Sequence, residues 1–183
     1  MRVVRDLEIE TKDKPQIQTI TSQLLQSSII TNEEVKSQFS DADIAGIYDL
    51  HAGSLAWGGQ LDKAAQIRKQ VMDNYYPHTL AGANCAMNWA RYISWHDNDL
   101  EQAGSILMDI LRDAPYSEII PWVKLELGNF SLKKGQPQEA LNHVYEVLKL
   151  VNESAQGTVK RCRRDALELQ EKILKQLSEE REG

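Results

Sequence analysis

Four histidines, two cysteines and a short run of cations are the side chains best suited to chemistry, so their spacing decides which chemistry is available. His51, His78, His96 and His143 are scattered, with no HExxH pair and no nucleophile motif around them. His96-Asp97-Asn98-Asp99 gathers imidazole and oxygen donors. It lacks the ligand pattern and length of a calcium loop, and a helix-ending turn accounts for it. Gly58-Gly59 has no following Lys-Ser/Thr, so it forms no phosphate-cradling loop. Cys85 and Cys162 lie far apart without CxxC or Cys/His spacing, which indicates neither a disulfide framework nor a zinc site. The sequence therefore predicts no catalytic residues, no metal and no cofactor, and it places an enzyme well behind a binding module.

Lys160, Arg161, Arg163 and Arg164 surround Cys162 near the start of a long helical stretch. Cations at a helix N-terminus oppose its dipole, at about 0.3–1 kcal/mol each when unscreened. Two readings follow: a dock for an acidic segment or nucleic acid, and a solvated face offset by Glu168 and Glu171 through i,i+4 pairs. The second is preferred, because Coulomb energies at exposed sites are small. Cys162 among these charges is either a reactive thiol with a lowered pKa or a buried member of the helix stripe.

The 183-residue chain carries a net charge of -6 and a pI near 5.3, which argues against general nucleic-acid or anionic-membrane binding. Hydrophobic residues make up 42% and charged residues 26%, the balance of a globular domain. No apolar run approaches the ~20 residues of a membrane span, and the charged start MRVVRDLEIETKDK lacks a signal-peptide core. A reduced, cytoplasmic protein is the expectation.

Helices must position whatever binds. Residues 1–14 alternate weakly (Val4, Leu7, Ile9) as a mobile terminus or short edge strand. Ile17, Ile20 and Leu24 then predict a helix ending near Ser28. Thr31-Asn32-Glu33-Glu34 has the form of a capping box before a short helix with Val35 and Phe39, and Ser40-Asp41-Ala42-Asp43 marks another start. From there the pattern repeats. Helices over about 41–57 and 62–74 meet at Gly58-Gly59, before Pro77. Helices over about 79–95 and 100–112 meet at His96-Asp97-Asn98-Asp99, before Pro115. Trp122, Leu125, Leu127, Gly128 and Leu132 mark a third first helix. Beyond Gly135 and Pro137, Ala140, Leu141, Val144, Val147, Leu148 and Val151 mark its partner. The small residue just after each turn recurs at Ala64, Ala103 and Ala140, 39 and 37 residues apart. One helical hairpin per period of this size is the mark of a helical solenoid. After a polar break at 152–157, Thr158 to about Glu180 forms a last helix with the stripe Val159, Cys162, Ala166, Leu169, Ile173 and Leu177, widened by Leu167 and Leu174. That stripe suits capping of the last repeat, and it also suits pairing with a second copy of the chain.

These residues resemble the tetratricopeptide repeat (TPR) over roughly 44–152. The third unit matches Leu127-Gly128, Gly135 and Ala140; the first matches Ala52, Gly59, Ala64 and Pro77; the second matches Ala103 and Pro115 but carries Arg91 at the small position and Asn98 at the turn. The period exceeds the family's ~34 residues, and Val71, Ile110 and Val147 replace its second small residue. The resemblance implies an all-α, right-handed stack of three hairpins at 41–152, an N-terminal segment with short helices at 1–40, and a capping helix at 153–183.

It also implies an inner groove lined from the first helix of each hairpin. Carried onto this chain, the positions are Gly46, Asp49, Gly53 and Ala56; Cys85, Asn88, Tyr92 and Trp95; and Trp122, Leu125, Asn129 and Lys133. Asp49 and Gly53 stand where the family's carboxylate clamp carries Lys and Asn, so that clamp is not expected. An aromatic groove with Asn88, Tyr92, Trp95, Trp122, Asn129 and Lys133 is implied instead, suited to a protein or peptide segment. Taken singly, Trp57, Trp89, Trp95 and Trp122 read as inter-repeat core, while Tyr92 with Trp95 divides evenly between core and groove. The expected function is non-catalytic protein–protein interaction, as an adaptor, chaperone-like or assembly factor. The rivals are an acidic inhibitor or immunity-type protein blocking a basic partner, and a ligand-sensing regulatory domain.

Overall fold

The computed structural model describes residues 14–26, 32–114, 116–151 and 157–182. All regular structure among them is α-helical, with no strand. The helices are α1 (Lys14–Gln26), α2 (Glu33–Lys36), α3 (Asp41–Trp57), α4 (Leu61–Tyr75), α5 (Leu80–His96), α6 (Leu100–Asp113), α7 (Ile120–Lys133), α8 (Pro137–Leu150) and α9 (Gly157–Glu182). Apart from α2, which ends at Lys36 and leaves out Phe39, the boundaries lie within a residue or two of those read from periodicity. The expected strand or mobile start at 1–13, Thr31 and Pro115 lie outside the described residues. These form two compact units: one of 14–26, 32–92 and 112–114, the other of 93–111, 116–151 and 157–182.

Each predicted turn passes through a residue of positive φ. Gly59, Asn98 and Gly135 have φ of 78°, 53° and 72°, the left-handed region that ends a helix and that only Gly, or at modest cost Asn, enters freely. Gln60 N–H and Gln136 N–H reach back to Leu55 O and Ser131 O, both at 2.9 Å, satisfying carbonyls that the helix end leaves orphaned. One turn into each following helix, Ala64, Ala103 and Ala140 are fully buried. Val71, Ile110 and Val147, where the family has a second small residue, are buried as well.

In the first unit α4 and α1 both pack on α3. Ser40 caps α3 through a reciprocal box: its Oγ accepts from Asp43 N–H at 3.2 Å, and Asp43 Oδ2 accepts from Ser40 N–H at 3.3 Å. Of the expected α1 stripe, only the side chain of Ile20 is among those described; those of Ile17 and Leu24 lie outside them. Ile20 is exposed, whereas Thr21 is buried and lies 3.1 Å from His51 Nδ1 and 3.4 Å from Ser54 Oγ. α2 ends before Phe39, which is exposed, and Asn32 Oδ1 accepts from Glu34 N–H at 2.9 Å. Ala45, Val71, Ala81 and Cys85 form a small core under Tyr48, Ile67 and Tyr75. Gly82 makes it possible: a Cβ there would lie 2.6 Å from Tyr75 O, so α5 meets the end of α4 backbone to backbone.

In the second unit α9 packs on both α8 and α7. Leu125, Ala140, Leu141, Val144, Val147, Val151, Cys162, Ala166, Leu169 and Ile173 form one core cluster, with Trp122, Leu132, Leu148 and Leu177 against it. Gly128 sits where the helices crowd: a Cβ would be 3.3 Å from Leu169 Cδ2 and 3.4 Å from Ala140 O. The last helix thus packs on the α7–α8 hairpin. Val159 and Leu174, assigned to its stripe, are exposed instead, because the contact centres on Cys162–Ala166–Leu169–Ile173.

Two measurements test this account. Gly82→Ala forces a methyl into the Tyr75 carbonyl and should cost about 1–3 kcal/mol in urea unfolding, whereas Gly104→Ala, with only Lys134 Nζ at 4.0 Å, should gain about 0.5–1 kcal/mol by helix propensity. Equal effects would remove the close approach at Gly82. Burial holds the pKa of His51 below its ordinary 6.5, so the unfolded chain binds this proton more readily. Its contribution is present above about pH 6.5 and is lost as the pH falls. His51→Gln should therefore flatten the acid-side loss of stability. His143, lowered chiefly by burial too, supplies the slope that remains.

Candidate interaction residues

The six residues expected to line a groove divide between the two units. Asn88 and Tyr92 belong to the first. Trp95, Trp122, Asn129 and Lys133 belong to the second.

In the second unit, Trp95 ends α5 with 81% of its surface in water. The Lys133 ammonium, from the last turn of α7, lies 5.5 Å from its ring centroid and 6.0 Å from that of Phe130. An ammonium at that distance is held by the ring quadrupole, at about 0.5–1 kcal/mol for exposed pairs. Trp95 and Lys133 are therefore brought together. Trp122 is half-buried against the α8–α9 core, and the guanidinium of Arg161 stands 5.7 Å from its ring. One cation of the basic run thus meets one aromatic of the predicted groove. Asn129 is half-buried on α7. Leu125, carried over as a groove position, is instead a core residue.

Two arginines of the basic run are paired with carboxylates. Arg164 pairs with Asp165 at 2.9 Å and Glu168 at 3.6 Å, and Arg161 pairs with Asp165 at 3.7 Å. Asp165 carries more of this compensation than the i,i+4 rule assigned to Glu168 and Glu171, since it serves two arginines. Lys160 is exposed and Arg163 half-buried. Cys162 lies wholly within the core, which settles its place in the stripe.

In the first unit, Tyr92 stacks on Trp89 (centroids 5.5 Å, planes 21° apart) and donates its hydroxyl to Asp62 Oδ1 at 2.9 Å. Asn88 belongs to a hydrogen-bonded relay along α5. Its Nδ2 donates to Asn84 O at 2.9 Å, and its Oδ1 accepts from Arg91 Nη1 at 3.1 Å. Asn84 Nδ2 in turn donates to Asp49 Oδ2 at 2.7 Å, and Cys85 Sγ donates to Asp49 Oδ1 at 3.3 Å. Burial, then the charge and hydrogen bond of Asp49, push the Cys85 thiol far above its ordinary range, so it remains a protonated donor.

Arg68 of α4 completes this cluster and was missed in the sequence. Burial lowers its pKa, Asp49 and Cys85 oppose that shift, and Arg91 adds to it. Its Nε is shut off from solvent with no hydrogen-bond partner. A signal was present: Arg68 stands between Ala64 and Val71 on the buried stripe of α4, where helical spacing calls for an apolar residue.

Two single-tryptophan assignments to the core fail: Trp95, and Trp57, which is 43% exposed at the end of α3. Each sits in the last turn of its helix, just before a hairpin bend. Among the described residues, no three of His, Cys, Asp and Glu converge as a metal-ligand set, and no helix is long and apolar enough to cross a membrane. Comparison with protein families, curated proteins and solved structures finds no match for this chain.

Burial makes a prediction for both thiols. Cys85 and Cys162 should resist a thiol reagent in the native protein and react at the rate of unfolding in urea. A thiol that reacts quickly without denaturant would place a local opening at α5 or α9.

Proposed function

We propose that this chain is a TPR-like interaction module, three helical hairpins in a right-handed stack, that binds a segment of a partner protein and catalyses no reaction itself. The reading of the stack is supported by the repeated turn: a left-handed residue at Gly59, Asn98 and Gly135, then a fully buried alanine at 64, 103 and 140. Hairpins so alike, each with an apolar stripe, bury those stripes best by lying side by side.

The observation that carries the binding role is Trp95. A tryptophan with four-fifths of its surface in water forgoes most of the burial its ring offers. Held beside a lysine ammonium, it has the chemistry of an interface anchor: a large flat apolar face with a charged rim. Aromatic anchors of this kind recognise a helix or extended segment that covers the ring and places an acceptor near the cation.

The test is affinity capture from native lysate with wild type beside Trp95→Ala, the variant first shown to keep its helical circular dichroism. A specific partner should be recovered at least about tenfold less well by the variant, the loss expected of a hot-spot aromatic. Equal recovery by the two baits would remove Trp95 from the interaction and the reading with it.

A further inference from the structure

We infer that Trp95, Lys133 and Lys134 form a docking site for an acidic segment of a partner protein, in which a bulky apolar side chain is flanked by Asp or Glu. This rests on the interaction reading above and adds to it the chemistry of the partner. All three residues belong to the second unit.

Lys133 ends α7 and Lys134 follows it, both exposed. The Lys133 ammonium lies 5.5 Å from the Trp95 ring centroid and 6.0 Å from that of Phe130. Lys134 Nζ reaches α6, where it is 4.0 Å from the place a Cβ on Gly104 would take. Among the described residues, no carboxylate is within ion-pair distance of either ammonium. Lys124, Arg161, Arg164 and Lys175 of the same unit each have one. An aromatic ring attracts a cation without cancelling its charge, so both lysines keep a full positive charge to offer.

The acids closest to Trp95 in sequence are turned to their own bend. Asp97 Oδ1 lies 2.8 Å from His96 Nδ1, and Asp99 Oδ1 accepts from Gln102 N–H at 2.8 Å. Met108, one turn beyond Gly104 on the same face of α6, is exposed as Trp95 is. The helix dipole favours cations at this end of α7, which accounts for charge there but leaves the exposure of Trp95 unexplained. An apolar residue with neighbouring carboxylates matches both features: it covers the ring and brings each lysine a counter-charge.

The surrounding charge favours a protein segment over a nucleic acid. The chain carries a net charge of -6, and Asp97, Asp99 and Glu101 follow Trp95 closely in sequence. A long polyanion meets that negative field along its whole length, whereas a short segment with a few carboxylates meets the lysines first.

Full-length protein is used to select binders from a random peptide display library. Enriched peptides are then measured by fluorescence anisotropy against wild type, Trp95→Ala and the double variant Lys133→Gln/Lys134→Gln. All three side chains are exposed, so these variants disturb no core; each is first shown to keep its helical circular dichroism. The selected peptides should carry an apolar residue beside Asp or Glu. They should bind Trp95→Ala about tenfold more weakly and the double variant about fivefold more weakly. Raising sodium chloride from about 0.1 M to about 1 M should weaken wild type more than the double variant. A single-stranded oligonucleotide is titrated alongside, and sedimentation follows the chain alone. Trp95-dependent peptides without acidic residues, or acidic ones that bind the double variant equally well, would overturn this inference and leave the interaction reading in place. Peptides indifferent to Trp95→Ala would overturn both. No enriched peptide, tighter binding of the oligonucleotide, or a concentration-dependent dimer lost in Trp95→Ala would each overturn the acidic segment, the last two in favour of a nucleic acid or a second copy of this chain.

Discussion

Two helices joined by a tight bend can bury their facing stripes only if their backbones come close just beyond the bend, and a side chain larger than methyl keeps them apart. Ala64 and Ala140 meet that constraint in the α3–α4 and α7–α8 hairpins, and Ala103 is equally buried in its own unit. The constraint then passes outward. In the second unit, Gly128 brings α7 within van der Waals reach of the Ala140 carbonyl and of Leu169, so that α9 lies over α7 and α8 together. In the first, Gly82 lets α5 begin against the Tyr75 carbonyl. Small residues at crossings set the geometry; Val71, Val144, Val147 and Ile173 fill the space that remains.

With the crossings supplying a dry interior, the polar residues near it become informative. Thr21, His51 and Ser54 satisfy one another where α1 lies on α3, so a stripe interrupted by polar groups still packs. The cluster around Asp49 is different, because it joins helices through charges as well as hydrogen bonds. Asp49 takes hydrogen bonds from Asn84 and Cys85 of α5, while Arg68 Nε on α4 meets no hydrogen-bond partner. On α9, Asp165 and Glu168 stand within ion-pair distance of Arg161 and Arg164.

Most of the helical layout could be read from the chain. The turns at Gly59, Asn98 and Gly135 carry their signal locally, since a positive φ admits few residue types. Leu141, Val144 and Val147 recur at steps that only one helix face satisfies. The site was less legible. Asn88 and Tyr92 were chosen as groove residues by analogy, yet their bonds run to Asn84, Arg91 and Asp62. Leu125 was chosen by the same analogy and lies in the core. Arg68 was passed over because, in a sequence, a charge within an apolar stripe looks like any other surface arginine until its surroundings are known.

Composition and periodicity alone determined that this chain is helical, where each helix starts and stops, and which small residues sit beside the bends, because those properties depend on neighbours within a turn or two along the chain. They could not determine which aromatic stays in water or which cation loses its hydration. Trp95 and Trp122 are alike in local sequence terms, and they part only because α8 and α9 cover one ring while the other ends its helix at a bend. Arg68 is acted on by the charges of Asp49 and Arg91 from other helices, and burial and electrostatics act through space between residues far apart in the chain.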